Sequence, residues 1–132
     1  IVLIREFRSP AATSDGFVWE VPGGSSFKPG MNPLQLAADE CREETGLAID
    51  VSRMIEHESR QLVATLSDHK AHVFSVEITE SDLAWLSAKK GVAHGVAEDT
   101  ERTYVEVTTL GEIRKERKVD WAMLGMILSV VA

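Results

Sequence analysis

Residues 21–47 read VPGGSSFKPGMNPLQLAADECREETGL, a loop rich in glycine and proline followed by a segment whose apolar residues have helical spacing. Asn32 is a preferred residue type for the N-cap of a helix, and Pro33 suits the first helical position. Gly46 is the residue type that most often follows a last helical turn. The stretch therefore predicts a helix over residues 33–45 that is entered from a glycine-rich loop.

The predicted helix carries two different surfaces. Its apolar residues predict a stripe that faces the core, formed by Leu34, Ala37, Ala38 and Cys41. Glu40, Glu43 and Glu44 are three and one residues apart, so we expect them to project together, away from that stripe. Carboxylates packed so closely keep their charge best around a cation, and Mg²⁺ prefers oxygen ligands. The trio predicts a divalent metal site, and an ordinary solvated helix surface is the alternative.

The rest of the chain predicts strands before and after this helix. Strand-like runs occupy residues 1–7, 17–21, 47–55, 61–66, 71–78 and 104–107. Ser81 or Asp82 could cap a short helix that ends at Ala88. Two more helices are expected over residues 110–115 and from Asp120 onward. This order of elements predicts a mixed α/β fold in one domain that spans residues 1–132.

Charge and composition restrict the partners and the location. The formal net charge of −7 argues against long nucleic acid as a partner, because phosphate backbones attract basic surfaces, but it is compatible with a small phosphorylated ligand. No apolar run is long enough to span a bilayer, so no membrane partner is expected. Cys41 is the only cysteine, which excludes an intrachain disulfide and suits a reducing cytoplasm. The chain begins at Ile1 inside a strand-like run, which leaves room for a preceding N-terminal segment.

The glutamate-bearing stretch resembles the signature of the Nudix hydrolases. Its second half matches that signature at Glu40, Cys41, Glu43, Glu44, Gly46 and Leu47, and Pro22-Gly23-Gly24 and Pro29-Gly30 resemble the framing loop. Residues 2–10 look like the opening strand of the branch that cleaves ADP-ribose and other ADP-sugars. Residues 96–101 resemble the acidic loop from which that branch takes its catalytic base. The resemblance covers most of the chain and implies an α/β/α sandwich with a mixed sheet, and a homodimer.

The same resemblance implies a role for each site residue. The residues expected to bind Mg²⁺, or Mn²⁺ in its place, are Gly23 through its backbone carbonyl, Glu40, Glu43 and Glu44. The residues expected to act in catalysis are Glu44 and, as the base, Asp99, Glu101 or Glu98. The residues expected to contact a nucleotide substrate are Arg5, Arg8 and Glu20.

Two positions depart from the signature. Met31 stands where the family has its first Glu, and Asp39 stands where it has an Arg that orients the neighbouring Glu; the loop between Gly24 and Met31 is also one residue longer.

Three hypotheses for the function follow. The first hypothesis is a Mg²⁺-dependent hydrolase that converts ADP-ribose, or another linked nucleoside diphosphate, into nucleoside monophosphate and sugar phosphate. The second is a binding domain that senses a nucleotide with little or no turnover. A purely structural domain is the third.

Overall fold

A three-stranded antiparallel sheet forms the centre of the fold. The computed structural model describes residues 1–9, 12–25, 29–96 and 100–131. Its elements, in chain order, are β1 (Val2–Phe7), β2 (Phe17–Glu20), α1 (Pro33–Thr45), a 3₁₀ helix (Val51–Arg53), β3 (Ile55–Glu56), β4 (Arg60–Gln61), β5 (Lys70–Ala71), β6 (Phe74–Ser75), α2 (Glu80–Ala88), β7 (Thr103–Val107), α3 (Leu110–Glu116) and α4 (Trp121–Val131). In the central sheet β1 lies between β2 and β7.

The register of β1 assigns its side chains to two faces of this sheet. Glu6 lies opposite Val18 on one side and Thr103 on the other. Arg5 lies opposite Trp19 and Tyr104. Because successive side chains of a strand point to opposite faces, Glu6 and Arg5 belong to different faces of the sheet.

Helices pack on both faces. Leu3, which shares a face with Arg5, forms the buried core cluster with Ile113 of α3 and Ile127 of α4. The face that carries Glu6 meets the end of α1, where the buried Thr103 hydroxyl donates a hydrogen bond to the carbonyl oxygen of Glu44 at 2.8 Å. The molecule is therefore a layered mixed fold of helices and strands, as the order of elements predicts.

The predicted bounds of α1 are confirmed, and both of its ends are capped. The Asn32 side chain accepts a hydrogen bond from the Leu34 N–H at 2.9 Å. Gly46 has φ 73°, and its N–H donates to the carbonyl of Arg42 at 2.9 Å. A positive φ of this size is cheap only for glycine, so the helix ends where the sequence predicts. Of the predicted apolar stripe, Ala38 is buried and the other three residues are half-buried.

The predicted strands between α1 and α2 are mostly wrong. Residues 47–55 contain the 3₁₀ helix instead, and the Asp50 side chain caps it by accepting from the Ser52 N–H at 2.8 Å. Only two-residue strands form in this region: β3 at the end of the 47–55 run pairs with β6 inside the 71–78 run, and β4 pairs with β5 at the starts of the 61–66 and 71–78 runs. Residues 58–70 are all exposed, so no buried face selects a longer register there.

Two further predictions need correction or refinement. Every strand pairing within residues 1–9, 12–25, 29–96 and 100–131 is antiparallel, so the mixed sheet is not found among them. Helix α2 begins earlier than predicted because Thr79, rather than Ser81 or Asp82, is its N-cap and forms a capping box with Asp82. The helices predicted at 110–115 and from Asp120 are present as α3 and α4. None of the helices in the described part of the chain has the length and apolar character needed to cross a bilayer.

Candidate metal centre

Three carboxylates from distant parts of the chain converge on one point. They belong to Glu6 at the end of β1, Glu44 in the last turn of α1, and Glu101 in the loop before β7, and one oxygen from each lies within 4.8 Å of the others. The residues Glu6 and Glu44 are only 6% and 4% exposed, and Glu101 is half-buried. We call these three residues the carboxylate cluster. Such a set of oxygen donors matches the preference of a hard divalent cation.

The glycine loop and β7 together hold Glu44 in place. The Gly23 N–H donates a hydrogen bond to Glu44 Oε2 at 2.8 Å, which connects the loop before α1 to the end of that helix. The backbone of Glu44 is held by the Thr103 hydroxyl described above. Gly24 lies so close to α1 that a Cβ added there would overlap the Glu40 carboxylate. The absence of a side chain at Gly24 therefore lets the loop backbone approach Glu40, whereas Gly23 contributes its backbone N–H.

Arg8 supplies the positive charge at the cluster. Its guanidinium lies 2.9 Å from Glu6 Oε2 and 3.4 Å from Glu20 Oε2. Glu6 Oε2 nevertheless has no hydrogen bond of acceptable geometry, so the contact with Arg8 is best described as electrostatic. Arg8 and Glu20, both predicted to contact substrate, therefore lie beside the carboxylate cluster.

Burial and mutual repulsion raise the pKa values of the cluster. Burial raises the pKa of Glu6 to about 7, helped by a hydrogen bond with Glu101 and opposed by the charge of Arg8. Burial raises the pKa of Glu44 to about 8 against the effect of the Gly23 N–H, and the charges of Glu40, Glu101 and Glu6 add to the increase. At neutral pH the cluster therefore keeps protons that a bound cation would displace.

The structure separates the three glutamates that the sequence predicts to project together. Glu44 is buried, Glu40 is half-buried and Glu43 is exposed. Burial raises the pKa of Glu40, followed by the charges of Glu43, Glu101 and Asp39, so Glu40 is electrostatically linked to the cluster. Neither Glu40 nor Glu43 belongs to the group of converging oxygen atoms. Residues four apart on a helix share a face, which explains why the charge of Glu40 helps to raise the pKa of Glu44.

The remaining predicted site residues fall into two groups. Arg5 lies on the other face of the sheet, with its guanidinium 4.7 Å from the ring centre of Phe17, 5.5 Å from that of Tyr104 and 5.8 Å from that of Trp19. The structure does not bring it to the carboxylate cluster. Of the acidic-loop candidates, Glu101 belongs to the cluster, whereas Glu98 and Asp99 lie outside the described residues.

Glu6 is the site residue that the sequence analysis misses. Alternation along β1 places it on the same face as Ile4, which is 1% exposed, so a carboxylate at that position was a usable signal of an unusual site.

Asp39, which stands where the resembling signature has an Arg, is held by its neighbours on α1. Its carboxylate accepts from Gln35 Nε2 at 3.1 Å and lies 3.8 Å from an Arg42 nitrogen, so its charge is held on the outer surface of α1.

No protein-family model matches this chain, and no curated protein matches it. The geometry of the carboxylate cluster therefore carries the functional interpretation.

Proposed function

We propose that this chain is a Mg²⁺-dependent hydrolase that cleaves the diphosphate of a nucleoside diphosphate joined to another moiety, such as ADP-ribose or another ADP-sugar. The products would be a nucleoside monophosphate and a sugar phosphate. The observation that carries the proposal is the convergence of Glu6, Glu44 and Glu101 from three elements. The packing of helices on both faces of the sheet and the resemblance to Nudix hydrolases support it, and both suggest a Nudix-like α/β/α sandwich.

The chemistry of the donor set fits a divalent cation. Carboxylate oxygens are the ligands that Mg²⁺ prefers, and Mn²⁺ accepts the same donors. Glu6, Glu44 and Glu101 would hold the ion, with Glu40 close enough to add its charge. A cation bound there would neutralise the diphosphate and acidify a bound water. The pattern implied by the resemblance, with Gly23, Glu40, Glu43 and Glu44 as ligands, shares Glu44 with this set.

The chain's own residues account for the charge and proton transfers of the hydrolysis. Water attacks one phosphorus, its oxygen forms the new P–O bond, and the bridging oxygen leaves with the second phosphate. Glu101 is the least buried member of the cluster, and we assign to it the additional role of accepting the proton from that water. Arg8 can exchange its contacts with Glu6 and Glu20 for phosphate oxygens, which guanidinium groups bind in a bidentate manner. Glu98 and Asp99 remain alternative bases predicted from the sequence.

The direct test is release of AMP from ADP-ribose with Mg²⁺. We expect wild-type turnover that EDTA abolishes, and a fall in kcat of about 100-fold or more for Glu44→Gln because the cluster loses a carboxylate that would bind the cation. Glu56→Gln is the matched control, since Glu56 is an exposed glutamate in β3. Equal turnover by the two variants would show that the carboxylate cluster is not the reaction centre.

A nucleotide-binding domain with little or no turnover is the second candidate. Asp39 favours it, because an acid stands where the resembling family has an orienting Arg. In this chain Arg8, which directly follows β1, lies beside the cluster and already pairs with two carboxylates. Tight binding of ADP-ribose without AMP release would select this candidate. A homodimer in the cytoplasm remains a prediction under either function.

A further inference from the structure

Arg8 divides one nitrogen atom between two carboxylates at the edge of the carboxylate cluster. Its Nη2 atom lies 2.9 Å from Glu6 Oε2 and 3.4 Å from Glu20 Oε2. Glu20 pairs with Ile4 across the two strands, so Glu20 and Glu6 lie on the same face of the central sheet. This is the face that meets the end of α1. The guanidinium of Arg8 therefore stands on the same side of the sheet as the cluster.

The two carboxylates beside Arg8 differ in their access to water. The Glu6 side chain is 8% exposed, and its buried Oε2 has no hydrogen-bond partner among the described residues. The Glu20 side chain is 29% exposed and that of Arg8 is 51% exposed. A buried carboxylate oxygen that has lost its hydration gains most from a nearby positive charge. Arg8 thus serves as the counterion of Glu6, and its own exposure lets it move without a large loss of packing.

A divalent cation at the cluster would need the same carboxylate that holds Arg8. Glu6 is one of the three residues whose oxygen atoms converge within 4.8 Å. Two positive charges beside one buried carboxylate repel each other, and the repulsion is stronger where water is excluded. Arg8 therefore has to give up its contact with Glu6 as a cation binds. Glu20 is the partner that stays within reach, because it already lies beside the same nitrogen atom.

We propose that Arg8 is a displaceable counterion, which neutralises Glu6 when no divalent cation is bound and is released toward Glu20 when one binds. The released guanidinium is then available to an anionic ligand. The inference rests on the proposed function and deepens it, because it makes the binding of the cation and of the diphosphate mutually dependent. Arg8 is a positioning residue that opposes the cation, so its removal has the opposite effect on cation affinity from the loss of a supporting residue.

The test is calorimetric titration with Mg²⁺ at about pH 9, above the folded pKa values of Glu6 and Glu44, so that protons compete little for the cluster. We expect Arg8→Gln to bind Mg²⁺ about fivefold more tightly than the wild type, because the competing charge is gone. With saturating Mg²⁺, the same variant should bind an uncleavable, methylene-bridged analogue of ADP-ribose about tenfold more weakly. A purely structural role of Arg8 would weaken both, and a simple phosphate contact would leave the Mg²⁺ affinity unchanged.

Two further variants serve as controls. Arg60 also pairs with a glutamate two residues before it, Glu58, but both side chains are largely exposed, at 76% and 68%. Arg60→Gln removes the same charge from such a pair and is expected to keep both wild-type affinities. Arg8→Lys keeps the positive charge beside Glu6 and is expected to keep the wild-type affinity for Mg²⁺. Urea titration in EDTA checks that each variant is folded.

The outcomes separate this inference from the proposed function. Tighter Mg²⁺ binding by Arg8→Gln alone supports the displaceable counterion, whether or not the wild type turns over ADP-ribose. Unchanged or weaker Mg²⁺ binding by Arg8→Gln overturns it and leaves the hydrolase to its own test with Glu44→Gln. An equal gain in Arg60→Gln or in Arg8→Lys also overturns it, because the pairing of Arg8 with Glu6 would then not be the cause. A wild type that binds no Mg²⁺ overturns both proposals.

Discussion

At the scale of single residues, the site depends on which carboxylates are buried. Glu43 and Glu44 are neighbours in sequence, yet Glu43 is exposed and Glu44 is 4% exposed. Adjacent positions on a helix point in different directions, so one glutamate reaches the sheet and the other faces the solvent. The sequence indicates that this segment is acidic, but the choice of the buried glutamate depends on how α1 sits against β7.

Gly24→Ala tests whether the close approach of the glycine loop supports metal binding. The added Cβ would displace the Glu40 carboxylate, so we expect Mg²⁺ affinity to fall about tenfold, in the range typical for groups that support a metal site. The free energy of unfolding should change little, because the displaced carboxylate ends a flexible side chain. The measurement is the rise in Tm as Mg²⁺ is added.

Gly23→Ala is the comparison for that variant. A Cβ at Gly23 would meet nothing within 4 Å, and alanine keeps the N–H that donates to Glu44. We therefore expect a Mg²⁺ titration close to that of the wild type. Equal losses of affinity at the two glycines would contradict the role given to the Gly24–Glu40 contact.

At the scale of secondary-structure elements, local signals predict α1 well and the region after it poorly. The helix is bounded by an N-cap, a proline and a glycine, and each of these acts through neighbouring residues. The runs at 47–55, 61–66 and 71–78 have strand-like composition, but residues 58–70 are all exposed. Strand formation depends on a partner strand and a buried face, and composition alone specifies neither.

Gly46→Ala tests the glycine that ends α1. Its φ of 73° is strained for alanine, at a cost of about 1–2 kcal/mol. The new Cβ would also lie 3.0 Å from Cε1 of the His94 ring, which is tighter than an ordinary contact. We expect the free energy of unfolding, measured by urea titration, to fall by more than this backbone cost alone.

Gly91→Ala isolates the contribution of the His94 contact. Gly91 has φ 80°, and a Cβ there would meet nothing within 4 Å. The free energy of unfolding of this variant should therefore fall only by the backbone cost of about 1–2 kcal/mol. If Gly91→Ala is destabilised as much as Gly46→Ala, the contact between the new Cβ and His94 adds nothing to the destabilisation of Gly46→Ala.

At the scale of the whole molecule, the fold creates the site by bringing β1, α1 and the loop before β7 together. The antiparallel pairing of β1 with β7 places Glu6 opposite Thr103, and Thr103 holds the end of α1 through the Glu44 carbonyl. The resemblance to a family signature and the acidic loop are features of the sequence, and alternation along β1 separates Arg5 from Glu6. Which of the two faces meets the end of α1 follows only from strand register and helix packing, which link residues far apart in the chain.

The raised pKa values of the cluster predict how stability depends on pH. Glu6 and Glu44 bind protons more tightly in the folded state than their ordinary pKa of 4.5 allows, so their contribution to stability decreases as pH rises toward their folded pKa values of about 7 and about 8. In EDTA we expect the free energy of unfolding to fall by about 1–2 kcal/mol between pH 7 and pH 8.5. The lowered pKa values of His94, Asp82 and Glu112 act at lower pH and do not mask this effect.

Mg²⁺ and one substitution serve as controls for the pH experiment. Saturating Mg²⁺ should remove most of the decrease, because the cation replaces protons in the cluster. Glu44→Gln should also flatten the profile, since a neutral amide does not titrate. A wild-type profile that is flat in EDTA, or that rises between pH 7 and pH 8.5, would be incompatible with a buried, protonated cluster.

The sequence by itself determined the features that depend on near neighbours: the caps and length of α1, the central strands with their alternating residues, and the presence of glutamates at helical spacing. The tertiary structure alone decided which carboxylates meet and which arginine accompanies them. The physical reason is the separation along the chain between the residues that interact. Caps and helical faces arise from contacts within a few residues, whereas Glu6, Glu44 and Glu101 converge only after strand pairing and helix packing have selected one register.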